Sequence, residues 1–152
     1  MKKELEQKLH DKYPDLFIEK DLPMQETCMC WGCAHGDGWF NILKDLCEKI
    51  TCVGKGIKFT QIKEKFGTLS VYFDSDDTSQ YSIISELVQE AGGKSAETCE
   101  LCGKPGTLIT KGWWKTLCEE CKKDRGYPND PKSSGRTEKW DDETKEENDQ
   151  SG

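Results

Sequence analysis

A chain of 152 residues with 34% hydrophobic and 34% charged content and a mean hydropathy of -0.83 has material for one modest core, or for a small body plus a metal-stapled finger. Its net charge is -7, but residues 138–149 hold seven acids and two lysines, so the rest of the chain is close to neutral, which argues against both the electrostatic footprint of a duplex binder and an acidic nucleic-acid mimic. The first residues, MKKELEQKLHDKYP, have no apolar stretch and no run reaches a membrane span; nine cysteines, an odd count, suit thiolate ligands and buried thiols in a reducing cytoplasm better than a disulfide framework.

In chain order, Lys2 to Lys12 predicts a short amphipathic helix with Leu5 and Leu9 on one stripe, ended by the Tyr13-Pro14 step and docked on its own domain. Next comes Cys28-Met-Cys30-Trp-Gly-Cys33-Ala-His35, four metal-compatible side chains within eight residues. Cys28, Cys30, Cys33 and His35 offer a second metal site, with Cys47 and Cys52 as alternative ligands; the competing reading is a loop with buried thiols. Cys30 and Cys33 also have the spacing of a redox dithiol, but the following helix starts only after Gly38 and no apolar strand leads into Cys30. Asp37 is expected to cap that helix, whose buried face is Trp39, Phe40, Leu43, Leu46, Cys47 and Ile50. His35 with Asp37 as a catalytic pair is weighed against a loop histidine beside a capping aspartate, and the second reading is preferred.

Residues 57–62 and 68–73 alternate apolar and polar and predict a β-hairpin around Lys63-Glu-Lys-Phe-Gly67. Ile57, Phe59, Leu69, Val71 and Phe73 face inward; Lys58 and Tyr72 face outward. Lys55, Lys58, Lys63 and Lys65 form a local basic patch beside Phe66 and Tyr72, readable as a nucleic-acid surface or as charges that keep a sheet edge from aggregating. The acids at 74, 76 and 77 lack the glycine and distal glutamate of a calcium loop and predict a turn with a cap. A helix follows from about Ser79 through Ile83, Ile84, Leu87, Val88 and Ala91, with Gly92-Gly93 as its expected stop.

The strongest pattern is Cys99-x2-Cys102 with Cys118-x2-Cys121, fifteen residues between the inner cysteines. Two such pairs supply the four corners of one zinc tetrahedron, and with every corner taken by protein the metal is structural. Gly103 stands where the turn needs positive φ. Residues 107–110 and 113–117 predict two short strands around Lys111-Gly112, and residues 118–124 a helix; turn, hairpin and helix describe a treble-clef finger. Trp113 and Trp114 cannot both face one core from a strand, so one of them either packs on a neighbouring element, the preferred reading, or is exposed to a partner. Beyond Gly126-Tyr-Pro128 the composition predicts an acidic, disordered tail carrying Trp140.

The expected fold is therefore α+β: a body of helix, β-hairpin and helix with a Cys-rich loop over 1–93, a four-cysteine finger over 94–128, and a tail over 129–152. The chain resembles a family of small zinc-finger proteins of bacteriophages and prophages. The resemblance rests on Gly36-Asp-Gly-Trp-Phe40 opening a helix, on Lys63-Glu-Lys-Phe-Gly-Thr-Leu69, and on Cys99-Glu-Leu-Cys-Gly-Lys-Pro-Gly106 with Trp113 to Cys121, within residues 30–125. In that pattern a cysteine often stands at the place of His35 and a histidine at that of Cys121, both swaps between zinc-compatible ligands. It implies a phage accessory protein and supplies no activity.

Three functions are consistent with these features. The first is a zinc-stapled module that binds a host or phage protein, including as an inhibitor of host defence. The second is a nucleic-acid-binding module using Lys55, Lys58, Lys63 and Lys65 with Trp113 and Trp114. The third, a small nuclease or dithiol oxidoreductase around His35 or Cys30, has no coherent catalytic constellation. No small-molecule substrate is evident, and the host-cell cytoplasm is the expected location.

Overall fold

The computed structural model describes residues 1–112 and 114–125. Trp113, Gly126-Tyr-Pro128 and the acidic tail with Trp140 lie outside them. The fold is α+β. Helix α1 spans Lys3–Lys12, α2 Phe40–Val53, α3 Tyr81–Ser95 and α4 Glu119–Asp124; the strands are β1 Cys33–Ala34, β2 Ile57–Lys65, β3 Thr68–Ser75, β4 Thr107–Ile109 and β5 Lys115–Leu117. One sheet has the order β1-β2-β3, with β1 parallel to β2 and β3 antiparallel; β4 and β5 form a separate antiparallel ribbon.

Two compact units divide the chain at Cys118/Glu119. Within the first unit, buried groups bind residues 94–118 to the body: the Trp39 indole donates to the Thr98 carbonyl at 2.9 Å, and the Thr116 hydroxyl to the Gly67 carbonyl at 2.7 Å. In the second unit, the described residues form α4, where Lys122 meets Glu119 at 2.9 Å.

The core is built from the faces that the periodicities predict. Leu43, Leu46, Cys47 and Ile50 of α2, Ile84 and Ala91 of α3, and Ile57, Phe59, Ile62, Leu69 and Val71 of the hairpin are buried together with Trp39 and Phe17. Each large side chain so buried contributes on the order of 2 kcal/mol. The stripe of α1 is narrow: Leu9 is buried, and the chain beyond it sends Tyr13, Leu16 and Phe17 into the core. Phe17 meets Phe59 edge-on, centroids 5.2 Å apart.

Three local departures have physical causes. Strand β2 carries a bulge between Phe59 and Gln61, which moves the inward position from 61 to Ile62 and turns the Thr60 carbonyl toward the loop, where Cys28 N–H and the Thr27 hydroxyl donate to it. The hairpin is longer than predicted. Lys65 pairs with Thr68, so Phe66-Gly67 alone makes the turn. Helix α3 runs through Gly92-Gly93 to Ser95, because the fully buried Ser95 hydroxyl donates to the Gly92 carbonyl at 2.6 Å and accepts the Leu69 N–H at 2.8 Å. That pair of bonds holds the last turn of α3 on β3. At the other end of β3, Asp77 caps the following turn by accepting from Ser79 N–H at 2.9 Å.

Candidate metal centre

The first two cysteines sit on a tight turn closed by its own backbone. Cys99 N–H donates to the Lys104 carbonyl at 2.7 Å, Gly103 N–H to the Cys99 carbonyl at 3.0 Å, and Gly103 has φ 84° as its position requires. The ribbon β4–β5 returns the chain to Cys118, and Cys121 follows in the first turn of α4. The Sγ atoms of Cys99, Cys102, Cys118 and Cys121 all lie within 4.8 Å of one another. Cys102 and Cys118 sulfurs are 3.5 Å apart, far longer than a disulfide, and all nine cysteines are reduced. Thiolates about 2.3 Å from a central ion would stand about 3.8 Å apart at the corners of a tetrahedron, so the four sulfurs are close enough to hold a metal ion. Soft thiolates of this kind select zinc, copper(I) or iron.

The turn also prepares a thiolate before any metal binds. Burial works to raise the pKa of Cys99, but the backbone N–H groups of Cys118, Cys102 and Leu101 outweigh it and hold the thiol down to about 7.

What the sequence reading missed is how this turn is fastened. Glu100, only 4% exposed, lies between the two cysteines. Its carboxylate accepts the Gly36 N–H at 2.9 Å and meets the Lys115 ammonium at 3.2 Å; its carbonyl accepts the Gly38 N–H at 2.7 Å, and its own N–H donates to the Thr116 carbonyl at 2.9 Å. Lys115 also reaches Glu64 at 3.4 Å. Burial acts to lower the Lys115 pKa, yet the two carboxylates prevail and raise it. The Gly-Asp-Gly segment is part of this joint. A Cβ at Gly38 would stand 2.1 Å from the Cys99 carbonyl oxygen, and one at Gly36 2.4 Å from that of Glu100. Asp37 is not the predicted helix cap: a 3-10 turn over Asp37–Trp39 precedes α2, and the carboxylate accepts the Lys2 N–H at 2.7 Å instead.

Cys28, Cys30, Cys33 and His35 are not brought together. Among the described residues, the Cys99–Cys121 group is the one set of convergent ligand atoms. Strand β1 turns Cys33 into the core, where burial pushes its thiol up to about 12, while Cys28 and Cys30 face solvent. Strand pairing fixes Cys33 opposite Ile62 and leaves no room for a chelating bend. His35 is buried too. Its Nδ1 lies 2.8 Å from the Gly36 carbonyl, Nε2 has no partner, and burial lowers its pKa to about 4. Cys47 is likewise in the core with its thiol pushed up by burial, and Cys52 is exposed. The buried Cys33 thiol and the buried His35 imidazole are poorly matched to dithiol or acid–base chemistry at neutral pH, and Asp37 is engaged with Lys2.

The predicted lysine patch is sorted by its partners. Lys58 is tied to the buried Glu19 at 2.9 Å, Lys55 is exposed in the loop before β2, and Lys63 and Lys65 flank Tyr72 on the outer face of the hairpin. Trp114 is half-exposed and stands edge-on to Phe66. Among the described residues no helix is long and apolar enough to cross a membrane. Comparison with family models, with curated proteins and with solved structures found no match.

Proposed function

We propose that the chain is a phage-type accessory binding module in which one zinc ion, held by Cys99, Cys102, Cys118 and Cys121 in a treble-clef-like finger, is a structural staple. Its partner in this reading is a host or phage protein in the host-cell cytoplasm, with a host defence factor as one candidate target. The observation that carries the reading is the closed thiolate set. The sulfurs of four cysteines stand within 4.8 Å of one another, enough ligands to fill a tetrahedron and leave no corner for water or substrate, and the first two sit on a turn bonded to the body through Glu100. A metal so placed fixes geometry and takes no part in turnover, so the function resides on the surface that it holds in place.

A second reading, nucleic-acid binding, is favoured by Lys63 and Lys65 standing beside the exposed rings of Phe66 and Tyr72. Recovery of the tagged protein from host lysate, with and without nuclease, separates the two. A discrete protein that stays bound after nuclease treatment and moderate salt supports the first; loss of all bound material on nuclease treatment replaces it with the second.

A further inference from the structure

A two-residue hairpin turn with positive φ at both places matches the twist of its strands, and the first place belongs by preference to Asn, Asp or Gly. At the tip of β2–β3 that place holds Phe66, with φ 53°, followed by Gly67 with φ 84°. Phe66 is the one non-glycine residue with positive φ among those described, and it is 67% exposed. A bulky side chain in that conformation is strained, and an exposed one adds little to the core, so folding does not account for it.

The tip is seated on the ribbon: the Thr116 hydroxyl donates to the Gly67 carbonyl at 2.7 Å, and a Cβ at Gly67 would stand 3.2 Å from the Lys115 backbone nitrogen. Phe66 is set edge-on to Trp114, 42% exposed, with ring centres 6.0 Å apart. Beside the two rings opens a cleft of about 580 Å³, lined among the described residues by Glu64, Phe66, Gly112 and Trp114. The one charged group in that lining is a carboxylate. Glu64 Oε2 accepts the Gly67 N–H at 2.7 Å, and Oε1 lies 3.4 Å from the Lys115 ammonium, which stands closer, at 3.2 Å, to the buried Glu100. Two carboxylates thus share one ammonium, and the group keeps a net negative charge. Lys63 and Lys65 alternate with Glu64 along β2 and project to the other face of the hairpin. Lys65 Nζ stands 5.9 Å from the centre of the Phe66 ring, and no described cation lies over the ring of Trp114.

We infer that this cleft takes a short basic segment of a partner protein through one arginine, its guanidinium laid against the Trp114 and Phe66 rings and bonded to the Glu64 carboxylate. The inference rests on the binding-module reading and names its surface. Aromatic faces are negative and attract a cation, Trp most strongly, and a planar guanidinium both stacks on a ring and offers its fork of donors to a carboxylate. A second cation also balances the two carboxylates: Lys115 stays with Glu100, the nearer of its partners, and the arginine takes Glu64. The volume lies within the range of pockets that enclose a ligand larger than one side chain, so residues flanking the arginine fit as well. An acidic segment or a phosphate backbone would instead meet Glu64 as the only charged lining residue among those described.

The test is selection from a displayed library of random short peptides on the full-length, zinc-loaded protein, followed by fluorescence anisotropy of the selected peptides with wild type, Phe66→Asn and Glu64→Gln. The selected sequences should share an arginine, and its replacement by citrulline, the neutral isostere, should weaken binding about tenfold. Asn suits the turn, so Phe66→Asn should raise the melting temperature while weakening binding about tenfold or more. Gln keeps an acceptor for the Gly67 N–H but loses the charge, and Glu64→Gln should weaken binding about tenfold. No enrichment, peptides without arginine, a citrulline form that binds as tightly, or affinities unchanged in both variants would overturn the inference. A protein recovered from host lysate equally by wild type and Phe66→Asn also overturns it, while leaving a binding module with a different surface. Tighter binding of tetramethylammonium or of a labelled oligothymidylate than of any peptide, lost in Phe66→Asn, overturns it too and assigns the cleft to a small organic cation or to nucleic acid.

Discussion

Gly38 donates its backbone N–H to the Glu100 carbonyl at 2.7 Å, and a Cβ on Gly38 would stand 2.1 Å from the Cys99 carbonyl oxygen. The turn that leads into α2 and the turn that carries the first two thiolates therefore meet backbone to backbone. A methyl group at this joint forces the two turns apart, so Gly38→Ala should destabilise the protein by about 3 kcal/mol. It should also weaken metal retention against a competing chelator. Urea denaturation with bound-metal analysis measures both; unchanged stability would mean that the joint is loose.

Because the same joint includes Gly36, Glu100, Lys115 and Thr116, metal removal should be felt beyond residues 95–118. Stripping the ion with a strong chelator is expected to lower the melting temperature by about 10 °C or more. It should also alter the near-ultraviolet dichroism of Trp39, whose indole donates to Thr98 next to Cys99. A body that melts unchanged while only the finger loses protection from proteolysis would contradict this coupling.

Ser95 serves two backbones at once. Replacing it by Ala removes the donor to Gly92 and leaves the Leu69 N–H buried without an acceptor, a loss of about 1–3 kcal/mol. Hydrogen exchange at the Leu69 amide should rise more than at its neighbours in β3. Equal protection in wild type and Ser95→Ala would refute the pairing.

His35 gives the fold an acid-sensitive point. Its pKa falls from 6.5 in the unfolded chain to about 4 in the fold, so between those values the unfolded chain binds the extra proton. Stability from this residue is complete above about 6.5 and declines as pH falls toward 4, by about 3 kcal/mol at most. Acid also protonates the thiolates, so the comparison is with His35→Gln: the wild type should lose more stability than the variant across that interval. Parallel pH curves would remove His35 as the cause.

The four thiolates and the hairpin were legible in the sequence because each pattern is local: matched cysteine pairs fold on themselves, and alternation reports one buried face. What stayed hidden depends on partners far along the chain. Gly36-Asp-Gly38 reads locally as a flexible cap, but its need for glycine comes from Glu100, 64 residues away. Gly92-Gly93 reads as a stop, yet the helix runs on to Ser95, whose bond to the Leu69 N–H offsets part of the cost of two helical glycines, about 1 kcal/mol each. Glu100 itself, one acid between two cysteines, carries no sequence signal that sets it apart from a solvated turn. The bulge at Thr60 escaped notice for a similar reason, since the strand carbonyl it turns outward is satisfied by donors of a distant loop, Cys28 N–H and the Thr27 hydroxyl. The crowding of Cys28, Cys30, Cys33 and His35 suggested a shared metal, and the pairing of β1 with β2 sends them to opposite environments.

X-ray absorption at the zinc edge of the purified protein tests the central claim most directly. The account predicts one zinc per chain with four sulfur neighbours at about 2.3 Å and no light-atom ligand. A first shell containing oxygen or nitrogen, or a chain folded without zinc, would contradict a closed structural staple made by Cys99, Cys102, Cys118 and Cys121.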